Sequence, residues 1–245
     1  MRLAPLSVSA AEVTRFRTFG FVHLREVQDD VAPAITDAFE EVFAEVFAEV
    51  FENPSPAGRE GGAGVSRIAE RSEVLQEALL AEDRCPRLAR RLLGTDVVYV
   101  GSAGVRHDGA VGWQREGGHR ALRLIEIVQF LEPLSARTGA LRIIPGTHRR
   151  GGSWDRFAAE MADPVRFLGM EPTEVPAFTI ESAPGDLVAF DPYSYHASFG
   201  GAAGRRQITT TFASVPESDE ARQELSDCLA ADRSGLRDSA RLSGF

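Results

Sequence analysis

Up to about Leu93 the apolar positions recur mainly at three- and four-residue steps; after Gly94 they crowd into short β-branched and aromatic runs. The first pattern predicts helices. Ser9, with Glu12 three residues on as capping-box partner, opens one, and Phe16 continues its apolar face until Gly20 breaks it. Phe21-Val22-His23-Leu24 then reads as a strand. Asp30, with Pro33 in the first turn, opens a second helix running to about Phe51 and stopping at Asn53-Pro54. Its stripe of Phe39, Val42, Phe43, Val46, Phe47, Val50 and Phe51 predicts a long helix laid against the rest of the protein. Residues 53–72 are rich in Gly, Pro and Ser and read as a loop long enough to serve as a lid over a pocket. A further helix is expected from Ser72 to about Ala81, burying Val74, Leu75, Leu79 and Leu80. Pro86 starts another, to Leu93, burying Leu88 and Leu92.

The second pattern predicts strands at Asp96–Val100, Leu122–Leu131, Leu141–Ile144, Phe178–Glu181, Leu187–Phe190 and Gln207–Ala213, most of them bounded by Gly or Pro. Trp154 to Leu168 reads as a helical insert, and Ser218 caps a last helix to about Ala231. Many short strands behind a helical layer predict a mainly β jelly-roll sandwich packed by helices. At 245 residues one domain is expected. Its layers are a helical 1–95, a jelly-roll core over 96–214, and a C-terminal helix and tail over 215–245.

Charge narrows the partners. A net charge of −9, with only the short basic clusters Arg149-Arg150 and Arg205-Arg206, argues against nucleic acid or an anionic membrane. No run approaches ~18 apolar residues, and the opening Met1 to Ala10 is too short and weakly apolar for a signal peptide. Two cysteines far apart, Cys85 and Cys228, make neither a zinc spacing nor a disulfide framework. A cytoplasmic protein acting on a small molecule is the expectation, with the oligomeric state left open.

Two stretches carry a family likeness. One is Val128-Gln-Phe-Leu-Glu-Pro-Leu through Gly139 to Ile144-Pro-Gly-Thr-His148. The other is Ala183-Pro-Gly-Asp-Leu-Val-Ala-Phe-Asp191 through Tyr195-His196-Ala-Ser198 to Arg206. Together, in this order, they resemble the phytanoyl-CoA dioxygenase-like family, and Gly20-Phe21-Val22 resembles its usual opening. The resemblance implies a double-stranded β-helix, cupin-like, holding Fe(II) with 2-oxoglutarate as co-substrate. It makes His196 the distal metal ligand and Arg206 the grip on the far carboxylate of 2-oxoglutarate, with Ser198 as a further contact and adjacent Arg205 able to exchange roles with Arg206. A guanidinium suits that task because it offers two parallel donors and keeps its charge when buried.

The family's other two ligands form a His-x-Asp pair after a Trp, with i and i+2 on one side of a strand. Here the matching text is Trp113-Gln114-Arg115-Glu116. The resemblance thus implies a metal set of Gln114, Glu116 and His196, with Glu116 and His196 as the catalytic pair. His119, beyond Gly117-Gly118, is a candidate substitute ligand. His107-Asp108 cannot both reach one metal from adjacent strand positions, while His148 reads as a packing residue and His23 has no evident partner. Two functions follow. The first is an Fe(II)/2-oxoglutarate-dependent oxygenase acting on a small organic molecule. The second is a metal-free member of the same fold, redox-neutral or purely binding, using Arg206, Gln114 and Glu116. Dinucleotide, Walker-type and Gly-x-Ser-x-Gly signatures are absent.

Overall fold

The computed structural model describes residues 3–52, 62–116, 121–149, 157–201 and 204–233, of which 49–52, 62 and 232–233 as backbone alone. Helix α1 (Ala10–Phe19) starts at the Ser9–Glu12 capping box and ends at Gly20. It feeds β1 (Phe21–Leu24), then α2 (Ala32–Glu52). Residues 62–71 depart from the expected loop. Gly62–Ser66 is a strand, β2, followed by a 3₁₀ turn over Ile68–Arg71. The reason is local: β2 pairs by backbone alone along the edge of the sheet, and Val65 and Ile68 are buried beneath it. A run of small residues supplies backbone donors and acceptors without announcing a strand by side chain. The remaining part of the lid expectation, 53–61, lies outside the described residues.

The helix expected over 72–81 is a single turn, α3 (Glu73–Leu75), continued by a π turn over Gln76–Leu80. Leu75 and Leu79 are buried and Leu80 partly so, but Val74 is exposed. Leu75 takes the inward position of the α3 turn, so its neighbour Val74, about 100° round the helix, faces out. Helix α4 (Cys85–Leu93) follows and buries Leu88 and Leu92.

All ten strands of the described residues belong to two facing sheets, and from β3 onward the chain passes back and forth between them with few helices in between. They are β3 (Val97–His107), β4 (Val111–Gln114), β5 (Leu124–Phe130), β6 (Thr138–Ile143), β7 (Phe178–Ile180), β8 (Leu187–Phe190), β9 (His196–Gly200) and β10 (Arg205–Ser214), together with β1 and the edge strand β2. One sheet runs β1-β8-β5-β10-β3-β2, the other β4-β9-β6-β7, all pairs antiparallel. This is the jelly roll. Between β6 and β7 lie α5 (Ala158–Ala162) and α6 (Pro164–Leu168), separated by Asp163; 154–156 of the expected insert lie outside the described residues. Helix α7 (Asp219–Arg233) closes the chain, with the Ser218 hydroxyl accepting from the Ala221 amide.

Packing divides by sheet face. The outer face of the six-stranded sheet is covered by the N-terminal helices: Phe39, Phe43, Ile68, Leu75, Leu88 and Leu92 meet Ile125, Ile127, Ile208 and Phe212. Phe39 and Phe43 stack at 4.2 Å. Gly104 of β3 is glycine because α2 presses against it; a Cβ there would lie 2.3 Å from Ile68 and 3.0 Å from Phe39. Between the sheets a second cluster gathers Val128, Phe130, Leu141, Ile143, Val188 and Phe190. That inner layer is incomplete at one end, and the gap is the site.

Candidate functional site

The gap is a cavity of about 300 Å³ between the two sheets. Strand alternation decides who lines it. From β5 come Glu126, Val128 and Phe130; from β10, Arg205 and Gln207; from β9, His196 and Ser198; from β4 and just after it, Gln114 and Glu116. Leu141, Phe190 and Val111 make the apolar wall.

At one end sits Arg205. It is 6% exposed, and its guanidinium donates to the carbonyls of Gly139 (2.6 Å) and Gly109 (2.8 Å) and to Ser198 Oγ (2.5 Å). Ser198 Oγ in turn donates to the Gly139 carbonyl at 2.8 Å. Nε is buried with no hydrogen-bond partner among the described residues. None of these contacts is a carboxylate. Burial pushes this guanidinium below its ordinary value, opposed by the field of Glu132, yet an arginine keeps its charge under such a shift. A buried cation held only by neutral oxygens is costly unless an anion joins it. Gly139, at φ +98°, permits the arrangement: a Cβ there would lie 2.2 Å from Arg205 Nη1.

Arg206 sits elsewhere, contrary to the role expected for it. One residue along β10 reverses the face, so Arg206 points toward the helices and not into the cavity. Its Nε donates to Glu132 at 3.0 Å and its Nη1 to Glu40 at 2.8 Å, while its backbone N–H donates to Glu132 at 2.6 Å. Glu40 also pairs with Arg106. These hydrogen bonds and the two carboxylates hold the Arg206 charge up despite partial burial, which pulls the other way.

At the other end are the positions of the implied metal set. The β4–β9 register sets Gln114 opposite His196. His196 Nδ1 lies 2.9 Å from the Ser194 carbonyl, which can only accept, so in the neutral ring Nδ1 bears the proton and Nε2 a lone pair. That lone pair faces Gln114 Nε2 at 3.4 Å. The Phe190 ring stands edge-on to the imidazole, centroids 5.0 Å apart. Glu116 lines the cavity, and its backbone N–H donates to the Pro192 carbonyl at 2.9 Å. Among the described residues no group of three His, Cys, Asp or Glu is placed to hold a metal ion. The donor set here (one imidazole, one amide, one carboxylate) does not fit the 2-His-1-carboxylate arrangement that ferrous oxygenases use. His119 lies outside the described residues.

The other histidines have settled places. His23 meets Asp186 at 2.8 Å, a partner the sequence did not reveal. His148 packs under Gly20 with Nε2 3.3 Å from the Arg17 carbonyl; burial lowers its pKa against the pull of that carbonyl. His107 lines the cavity, whereas Asp108 turns out to accept from the Gly204 amide. Glu126 escaped the sequence reading. It is 5% exposed yet carries a carboxylate into the cavity from a strand otherwise apolar over Leu124–Val128. A lone acidic residue in an apolar run was the available signal.

The phytanoyl-CoA dioxygenase (PhyH) family model matches residues 16–207. The chain belongs to that family. Solved structures share its fold at low identity. SnoK, a non-heme α-ketoglutarate-dependent carbocyclase from nogalamycin biosynthesis, is 17% identical, with TM-score 0.66 over 90% of this chain and 93% of its own. EctD from S. alaskensis, with bound Fe, is 21% identical, with TM-score 0.63 over 84% and 77%. EvdO2 from Micromonospora carbonacea var. aurantiaca, complexed with 2-oxoglutarate, is 16% identical, with TM-score 0.60 over 88% and 95%. A comparison with curated proteins finds no match. No helix among the described residues is long and apolar enough to cross a membrane.

Proposed function

We propose that this family member is an enzyme acting on a small organic molecule in the inter-sheet cavity, and that Arg205 with Ser198 holds a carboxylate of a ligand in the 2-oxo acid or dicarboxylate class. The observation that carries the reading is the Arg205 guanidinium, buried beside Ser198, whose hydrogen-bond partners among the described residues are all neutral oxygens. A carboxylate arriving there replaces lost water with a charge-assisted pair in a low-dielectric site, where such a pair is strong. At the opposite end Glu116 and His196 line the same cavity, a carboxylate and an imidazole. A carboxylate can take up and return a proton, so the chemistry assigned to the site is redox-neutral acid–base work by Glu116 on the ligand held by Arg205. Arg205 anchors and orients it, the apolar wall of Leu141, Val128 and Phe190 excludes water, and Glu116 moves the proton.

The family's iron-dependent oxygenation is the second reading. What favours it is that Glu116 and His196 share the cavity with Arg205 in the family's order along the chain. Calorimetric titration with 2-oxoglutarate and succinate tests the carboxylate anchor. Native protein is expected to bind at least one, and Arg205→Gln to weaken it on the order of 10²-fold, the loss of hydrogen bonds to a charged group. No binding of either acid, or an unchanged affinity in Arg205→Gln, contradicts the assignment. Consumption of 2-oxoglutarate with iron and oxygen would establish the second reading instead.

A further inference from the structure

We infer that the corner of the cavity holding the metal in this family's usual site is closed in this chain by a hydrogen-bonded Gln114–His196 pair, so that ligands enter without a divalent cation. The ligand half of this inference rests on the reading of Arg205 as the carboxylate anchor; the metal half does not.

Three observations carry it. The first is register: β4 and β9 set Gln114 directly opposite His196, the two positions that the resemblance assigns to metal ligands. The second is the tautomer. Because Nδ1 donates to the Ser194 carbonyl at 2.9 Å, the Nε2 lone pair is the one turned toward the cavity, the posture a ligating histidine adopts. A Gln114 amide N–H takes that lone pair, at 3.4 Å. Turning the amide over would set its carbonyl oxygen against the Nε2 lone pair, two acceptors facing each other, so the donor orientation is the stable one. The third is ligand strength. Replacing an imidazole by an amide leaves the corner with a weak neutral oxygen at best, and no triplet of His, Cys, Asp or Glu among the described residues makes up the loss.

The consequence reaches ligand binding. Where a cation neutralises one end of a bound 2-oxo acid, affinity for the acid and for the metal are coupled and rise together. With the corner closed by neutral hydrogen-bonding groups, that coupling disappears and Arg205 supplies the main electrostatic attraction. The carboxylate of Glu116 then serves the reaction and is not spent on a metal.

The test uses the full chain and Mn(II), a redox-silent probe whose free concentration is read by electron paramagnetic resonance, with 2-oxoglutarate binding followed by calorimetry. Native protein is compared with Gln114→His and with the Gln114→His, Glu116→Asp double variant; circular dichroism checks that each is folded. The native chain is expected to leave Mn(II) free at micromolar concentrations, and its 2-oxoglutarate affinity to change by less than ~2-fold when Mn(II) is added. The double variant is expected to bind Mn(II) at least ~10-fold more tightly than the native chain. Stoichiometric Mn(II) on the native protein overturns the inference, as does 2-oxoglutarate binding that requires Mn(II). So does failure of both folded variants to take up Mn(II), because then Gln114 is not what keeps the metal out. Should the variants gain Mn(II) while the native chain takes neither Mn(II) nor 2-oxoglutarate, the metal half stands and the carboxylate anchor is what fails.

Discussion

Arg205 and Gly139 illustrate how closely the site is specified at the scale of single residues. The guanidinium lies flat against a backbone that has no Cβ, and it donates to the carbonyl of that same residue. Gly139→Ala therefore has two costs: a methyl where Nη1 now sits, and an L-residue at φ +98°. Thermal or urea unfolding is expected to show a loss of about 1–3 kcal/mol, and calorimetry a carboxylate affinity reduced along with it. A variant that keeps full affinity would mean that Arg205 has room to rearrange. This scale is also where sequence reading reached its limit. The motif located the arginine pair, yet a one-residue slip reverses every side chain on a strand, and two adjacent arginines give no parity to read. Glu40 and Glu132, which claim Arg206, are separated from it by long stretches of chain. Glu126 was hidden for the opposite reason, since its apolar neighbours marked only a buried strand.

Elements hold the sheet in place around the cavity. Helix α2 covers the six-stranded sheet through Phe39, fully buried and stacked on Phe43. Phe39→Ala is expected to cost about 3–5 kcal/mol in denaturant unfolding, and a loss below ~1 kcal/mol would mean that α2 contributes little to the core. The turn before β8 is tied to β1 by Asp186, which accepts from the Glu26 and Ala183 amides and from His23. Burial alone would raise the Asp186 carboxyl, but those hydrogen bonds outweigh it and hold the pKa below the usual carboxylate range. A depressed carboxylate stabilises the fold above its unfolded pKa of about 4 and ceases to do so as pH falls through the lower folded value. Asp186→Asn should therefore be less stable than native by roughly 1–3 kcal/mol at neutral pH, with the difference shrinking below about pH 4. A difference that stays constant from pH 7 to pH 3 would contradict the charge-based account. Capping boxes, apolar stripes and Pro-Gly turns made most of these elements legible in sequence. Strand β2 was not, because Gly and Ala carry no strand preference, and neither was the π turn over Gln76–Leu80.

For the whole molecule, the jelly roll explains why one half of the site follows its family and the other departs from it. Arg205 and Ser198 come from β10 and β9, whose hydrogen-bonded neighbours β5, β3 and β6 fix them within the two sheets. Gln114 sits at the end of β4, an edge strand of the smaller sheet, where side chains change without disturbing a central ladder. The scaffold thus keeps a carboxylate anchor while the opposite corner carries different chemistry. The most direct measurement is a crystal structure of the native chain grown with 2-oxoglutarate and Mn(II). The account predicts a ligand carboxylate on Arg205 and Ser198, with Gln114 still donating to His196 and no metal between them. A manganese ion coordinated by His196 and Glu116, with the Gln114 amide turned aside, would contradict it.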